Sequence, residues 1–178
     1  HMGLTLQKNG ISGEETVQER MKTVLKVSGC EFDDIKVQEL LDCWGLKHRS
    51  SDRVSQLSGG LARRLSVLSG LAPALLSKKS RVVLLDEPSE GLDKTAKLLL
   101  INWLRSLISR GHGIILATHD SDLISVADRT LTFTDDKKII EYLLVETWDF
   151  KKFYSYARNR KWQYICSWSE SDFLYKLR

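Results

Sequence analysis

The run Val82-Val83-Leu84-Leu85 is followed at once by Asp86-Glu87-Pro88. Four apolar residues in succession leave no polar face. They predict a strand buried on both sides, as in a parallel sheet covered by helices. The two carboxylates fall where that strand ends. A second run, Gly113 to Ala117, predicts another buried strand. Between the two, the pattern from Lys94 to Arg110 predicts a helix stopped by Gly111. Strand, helix and strand in this order imply an α/β fold with a mainly parallel sheet.

The chain ahead of this unit reads as helical. Gly3 to Gly13 predicts a short strand and a loop, with Gly10 and Gly13 as breakers. Ser12 and Glu15 have capping-box spacing ahead of a helix over about 14–27. Val17, Met21, Val24 and Leu25 recur on one face of it. A second helix fits Ile35 to Trp44, closed by Gly45, with Ile35, Val37, Leu40, Leu41 and Trp44 apolar. Ser58 can cap a long helix to Leu76, with Leu61, Leu65, Leu68, Leu71 and Leu75 along it. Ser77 to Ser80 is a polar break.

Beyond the sheet strands, Asp120 to Ala127 predicts a short helix. Arg129–Thr134 and Lys137–Leu144 predict a hairpin around Asp135-Asp136. From residue 146 the composition changes: Trp148, Phe150, Phe153, Tyr154 and Trp162 interleave with Lys151, Lys152, Arg158 and Arg160. A helix over about 146–160 followed by less regular chain is expected, its rings packing on the core or on a second subunit. A surface for membrane or nucleic acid is the competing reading. Glu146, Asp149, Glu170 and Asp172 weigh against it.

Bulk properties exclude several classes. A net charge of +4 is too small to imply nucleic acid or an anionic membrane. No run of 18 apolar residues and no secretory leader occur, and His1-Met2 reads as the remnant of a cleaved tag. Cys30, Cys43 and Cys166 are odd in number and lack CxxC spacing, which argues against a disulfide framework or zinc site and for reduced thiols.

Four short motifs occur in one order: Leu57-Ser58-Gly59-Gly60, Leu84-Leu85-Asp86-Glu87, Gly91-Leu92-Asp93 and Thr118-His119-Asp120. Each is common alone. The series is far more specific: Asp86 follows Ser58 by 28 residues, and Asp93 and His119 follow Asp86 by 7 and 33. The series resembles the second half of the nucleotide-binding domain of ABC transporter ATPases, with signature loop, Walker B strand, D-loop and H-loop. Leu4 to Gln7 followed by Thr16-Val17-Gln18-Glu19 looks like that family's Q-loop entry into its helical subdomain. The resemblance covers about residues 3–134.

The resemblance implies part of a P-loop NTPase (RecA-like) core with a parallel sheet, plus the ABC α-helical subdomain. It divides the chain into Q-loop and helical subdomain at 3–80, the second half of the core at 81–145, and an extension at 146–178. Ser58, Gly59 and Gly60 would present a hydroxyl and helix-start amides to the γ-phosphate of ATP held by a partner subunit. Asp86 would hold Mg²⁺ through water, and Glu87 would orient and deprotonate the attacking water. His119 would contact the γ-phosphate. Gln7 would link the Mg²⁺ site to the helical subdomain, and Asp93 would shape the partner's site across a dimer interface. His48 and His112 have no place in the series and are expected to be structural.

The chain departs from the family pattern in several places, one of them the extra residues around Ser77 to Ser80, between the signature helix and the Walker B strand. The family's usual Gln after the signature glycines is Leu61 here, although Arg63-Arg64-Leu65 keeps the basic stretch beyond it. More seriously, no G-x-x-x-x-G-K-[ST] occurs, and the aromatic that stacks on adenine is missing too. The expectation is a subunit of an ATP-driven transporter, on the cytoplasmic face of a membrane. Its partners are a second nucleotide-binding subunit and transmembrane subunits, with no nucleic acid. This chain would be a fragment or a reading frame without its first third, inactive alone. The alternatives are a translation- or DNA-repair-associated ABC ATPase, or a degenerate module donating its signature motif. Only about 50 residues separate Gln7 from Ser58, too few for the coiled coil of DNA-repair members.

Overall fold

The structure, a computed structural model, describes residues 2–5, 13–133, 139–144, 164–169 and 172–177. Gln7, Ser12 and the helix expected over 146–160 lie outside the described residues. The chain forms two compact units, residues 1–120 and 121–178.

The first unit holds a three-stranded parallel sheet in the order β1-β2-β3, made of Met2–Thr5, Val82–Asp86 and Gly113–Ala117. Between β1 and β2 lie α1 (Val17–Val27), α2 (Asp34–Cys43), two short 3₁₀ turns and α3 (Gly59–Leu76). Between β2 and β3 lies α4 (Lys94–Ser109). Successive right-handed crossovers that advance in one direction put their helices on the same face of the sheet. Accordingly α3 packs on β1 and β2, α4 packs on β3, and the two helices touch.

The register shows which residues those helices cover. Gly3, Val83 and Ile114 are partners across the sheet, as are Thr5, Leu85 and Leu116. Gly3, Thr5, Val83 and Leu85 are buried. Gly3 lies so close to α3 that a Cβ there would stand 2.1 Å from the Gly70 carbonyl oxygen, so no larger residue fits without moving the helix.

The opposite face differs from expectation. Val82 is 43% and Ile115 65% exposed, Ala117 is exposed, and Leu84 is half-buried. Both strands were expected to be buried on both sides. Each is covered on one side, because α3 and α4 of this unit pack on the first face, and among the described residues β3 is an edge strand.

The helical layer also departs in detail. α1 starts at Val17, and its capping box is Thr16 with Glu19 rather than Ser12 with Glu15. The Glu19 amide donates to Thr16 Oγ1 at 3.2 Å, and the Thr16 amide donates to Glu19 Oε2 at 2.8 Å. Such a cap stabilises a helix by about 1 kcal/mol. Val17, Met21 and Leu25 are its buried stripe, while Val24 is only half-buried. In α2, capped by Asp33, Val37, Leu40 and Leu41 are buried and Ile35 is exposed. Ser58 caps α3 as expected, its hydroxyl accepting from the Leu61 amide at 3.4 Å.

The second unit contains α5 (Ser121–Ser125) and a four-stranded antiparallel sheet in the order β4-β5-β7-β6. Its strands are Thr130–Phe133, Ile139–Leu144, Asp172–Leu177 and Tyr164–Ser169. The β4–β5 hairpin was expected. The β6–β7 pair was not: the two segments pair residue by residue where irregular chain was anticipated.

Candidate functional site

Parallel sheets gather chemistry at the carboxyl ends of their strands, where the chain turns outward into loops. Here β2 delivers Asp86 and Glu87 to that edge, and β3 delivers Thr118 and His119 beside them. The Glu87 amide still donates to the Ala117 carbonyl at 2.8 Å, one step past the ladder. The side chain then turns to β3. His119 Nδ1 lies 2.9 Å from Glu87 Oε1, and Thr118 Oγ1 donates to Glu87 Oε2 at 3.2 Å. The His119 amide also points at Oε2, at 3.4 Å.

Charge follows from these contacts. Partial burial works to raise the Glu87 pKa. Hydrogen bonds from the His119 side chain, its amide and Thr118 outweigh that, and the carboxyl sits below its ordinary value. The carboxylate in turn raises His119, through the shared hydrogen bond first and Coulomb attraction second. Glu87 is 15% and His119 82% exposed, so the imidazole is the solvent-facing member of the pair.

Stability should depend on pH through this pair. The raised His119 contributes stability below its unfolded value and loses it as pH rises through the folded one. The lowered Glu87 contributes above its unfolded value and loses it as pH falls through the folded one. The pair therefore contributes most between about pH 4.5 and 6.5. By NMR, His119 is expected to titrate above the ordinary value of about 6.5. Glu87→Gln is expected to bring it back; an unchanged midpoint would refute the pairing.

Glu87 has φ 43°, the one positive value among described non-glycine residues. A side chain in that region costs about 1–2 kcal/mol, so the surrounding bonds must hold it. They come from α3. Arg63, 6% exposed, donates from Nε to the Glu90 carbonyl at 3.1 Å and from Nη2 to the Asp86 carbonyl at 3.2 Å. The same Nη2 donates to the Glu87 carbonyl. In the sequence Arg63 stood out only as part of a basic stretch. Its signal was its place in line with Val67, Gly70 and Ala74 on α3, where a charge must find polar partners.

The other expected residues stand around this centre. Asp93 caps α4, accepting from the Ala96 amide at 2.9 Å, and its other oxygen pairs with Arg64. Those bonds, the Ala96 amide first, hold its carboxyl below the usual value. Ser58, Gly59 and Gly60 open α3, and a Cβ on Gly60 would lie 4.0 Å from the Gly91 carbonyl. The signature turn and the Gly91-Leu92-Asp93 turn are thus neighbours. Asp120, outside the expected set, pairs with Lys97 at 2.7 Å. His112 is buried and accepts from the Arg81 amide at 3.1 Å through Nδ1, a structural role as expected.

The donor set bears on Mg²⁺. Among the described residues no three His, Cys, Asp or Glu side chains gather as a metal cage. Two adjacent carboxylates at a strand end are the oxygen donors that Mg²⁺ takes when phosphate and water supply the rest. They fit that ion and not a closed protein site.

No family model matches the chain. Over 144 residues it is 34% identical to Nod factor export ATP-binding protein I of Rhizobium meliloti, a match spanning 79% of this chain and 41% of that protein. The chain belongs to the ABC-type ATPase family. A further relative is the macrolide export ATP-binding/permease protein MacB of Psychrobacter arcticus, 29% identical across 80% of this chain and 21% of that protein. This ABC ATPase therefore spans less than half the length of the curated relatives it matches. Among solved structures, the ATP-binding subunit of an ABC transporter has a TM-score of 0.64 at 20% identity. That match covers 73% of this chain and 53% of the other. An ATP-binding cassette in a dimeric post-hydrolysis state with ADP and Pi has a TM-score of 0.61 at 19% identity, over 73% of this chain and 57% of the other. These last two bear on the fold alone, and they agree with the parallel α/β sheet.

Proposed function

We propose that this ABC ATPase segment supplies the hydrolytic half of an ATP site in a subunit that powers transport across a membrane. The observation that carries the reading is the Glu87 carboxylate, ionised and held 2.9 Å from His119 next to Asp86 at the ends of two adjacent parallel strands. A carboxylate fixed in this way can accept a proton from water lined up on a phosphoryl group. His119, exposed beside it, can donate to the same phosphate. Asp86 would hold Mg²⁺ with Gln7, and the ion would neutralise charge developing on the phosphate oxygens.

Ser58, Gly59 and Gly60 would meet the γ-phosphate of ATP bound by a second nucleotide-binding subunit, through the free amides that open α3. Asp93, beside them, would lie at the same interface. The names of both curated relatives contain export, which supports transport as the work done, with transmembrane subunits as partners on the cytoplasmic side. Described helices are too short or too polar to cross a membrane.

The absence of G-x-x-x-x-G-K-[ST] from the sequence makes a direct prediction. Alone, the chain is expected to give no heat of micromolar Mg-ATP binding and no phosphate release. Adding a polypeptide with the phosphate loop of such a domain is expected to restore both. Micromolar binding by the isolated chain would overturn the reading.

A further inference from the structure

We propose that Arg63 is a positioning residue that sets the backbone of Glu87, and through it the aim of the carboxylate. The inference rests on Glu87 being the proton acceptor of the site, and adds what holds it there. Glu87 is pinned at both of its peptide ends. Its amide donates to Ala117 on β3, at 2.8 Å. Its carbonyl accepts from the Glu90 amide at 3.0 Å and from the Arg63 guanidinium. With both ends fixed, φ has little freedom, and it is fixed at a left-handed 43°.

The guanidinium suits this task. Its planar fork reaches the carbonyls of Asp86, Glu87 and Glu90 from two separated nitrogens, Nε and Nη2, whereas an ammonium must place all its donors on one atom. Burial lowers the Arg63 pKa and Glu90, Asp86 and Glu87 offset only part of that, but a guanidinium starts high enough to stay charged. Without it, three carbonyls at the head of a tight turn lose their shared donor. The Glu87 peptide is then free to relax to negative φ, which swings the carboxylate off Thr118 and His119. Because Arg63 sits one turn into α3, whose first residues are Gly59 and Gly60, the clamp also makes the start of that helix and the carboxylate one mechanical unit.

Arg64 provides the control. It is adjacent, equally basic and also tied down, but to the Trp44 carbonyl and Asp93 rather than to the Glu87 turn. The test uses the full ¹³C,¹⁵N-labelled chain without nucleotide, so its outcome is independent of whether Glu87 proves catalytic. Arg63→Met is expected to shift the Glu87 Cα and Cβ resonances away from left-handed values. It is also expected to speed exchange of the Glu87 amide about tenfold relative to Leu85 in β2. Arg63→Lys, which keeps one donor point, is expected to move both readouts the same way by less. It gives the answer should Arg63→Met fail to fold. Arg64→Met is expected to leave both at wild-type values. Glu87 resonances unmoved in Arg63→Lys and in a folded Arg63→Met, or moved as far by Arg64→Met, would overturn the proposal.

Discussion

Glu87→Gln is expected to lower ATP turnover by about 10²- to 10⁴-fold in any assembly where this chain completes an ATP site. The amide matches the carboxylate in shape and can still accept from Thr118 Oγ1, which donates to Oε2 at 3.2 Å in the native chain. What it loses is the ability to take a proton. It also loses the charge that polarises His119 across 2.9 Å. Fold and nucleotide affinity should therefore survive while the chemical step fails, so the loss belongs in kcat rather than KM. Steady-state phosphate release at saturating Mg-ATP measures it. A variant retaining a tenth or more of wild-type turnover would remove Glu87 from the role of proton acceptor.

Trp44→Ala is expected to destabilise the first unit by about 3–5 kcal/mol, a large part of the roughly 5–15 kcal/mol typical of a whole domain. Trp44 is 1% exposed at the end of α2, and its ring meets Trp103 of α4 edge-to-face at 5.5 Å. Its carbonyl also accepts from Arg64 of α3 at 3.2 Å. Three helices thus meet at one residue, and truncation leaves a cavity that none of them can close alone. Trp44→Phe is the contrast. The indole N–H is buried with no hydrogen-bond partner among the described residues, so removing it leaves no donor behind. That variant leaves a smaller void and should cost less than the alanine one, about 1–2 kcal/mol. Urea denaturation followed by circular dichroism separates the two. An alanine variant as stable as the phenylalanine one would mean that this contact does not brace the layer.

Much of the site was legible because its parts are local. The apolar run Val82–Leu85 ending in two acids fixes a strand and what stands at its end, and the interval to His119 has the length of one helix and one more strand. Ser58 before two glycines likewise marks a helix start. What was not legible depends on partners distant in sequence. Ser12 and Thr16 both stand three residues ahead of a glutamate. Thr16 is extended by its bridge to Arg53, and the Val17 amide donates to the Asp52 carbonyl, which fixes where α1 can begin. Arg63 stood out only as part of a basic stretch, because nothing nearby in sequence announces that a turn 24 residues later brings its carbonyls to it. Tyr164, Ile165 and Trp168, residue types that favour strands, were an available signal in Tyr164–Ser169, but no clean alternation accompanies them.

Val82, Leu84, Ile115 and Ala117 form an oily plate on the side of the sheet that no described helix of the first unit covers. Hydrogen-bonded backbones keep it rigid, so it cannot fold its methyl groups away from water. Handled by itself, the chain should therefore turn cloudy as it is concentrated, and salting-out ions should hasten this by strengthening apolar adhesion. Its shelf life would be set by that plate rather than by the carboxylate and imidazole at the strand tips.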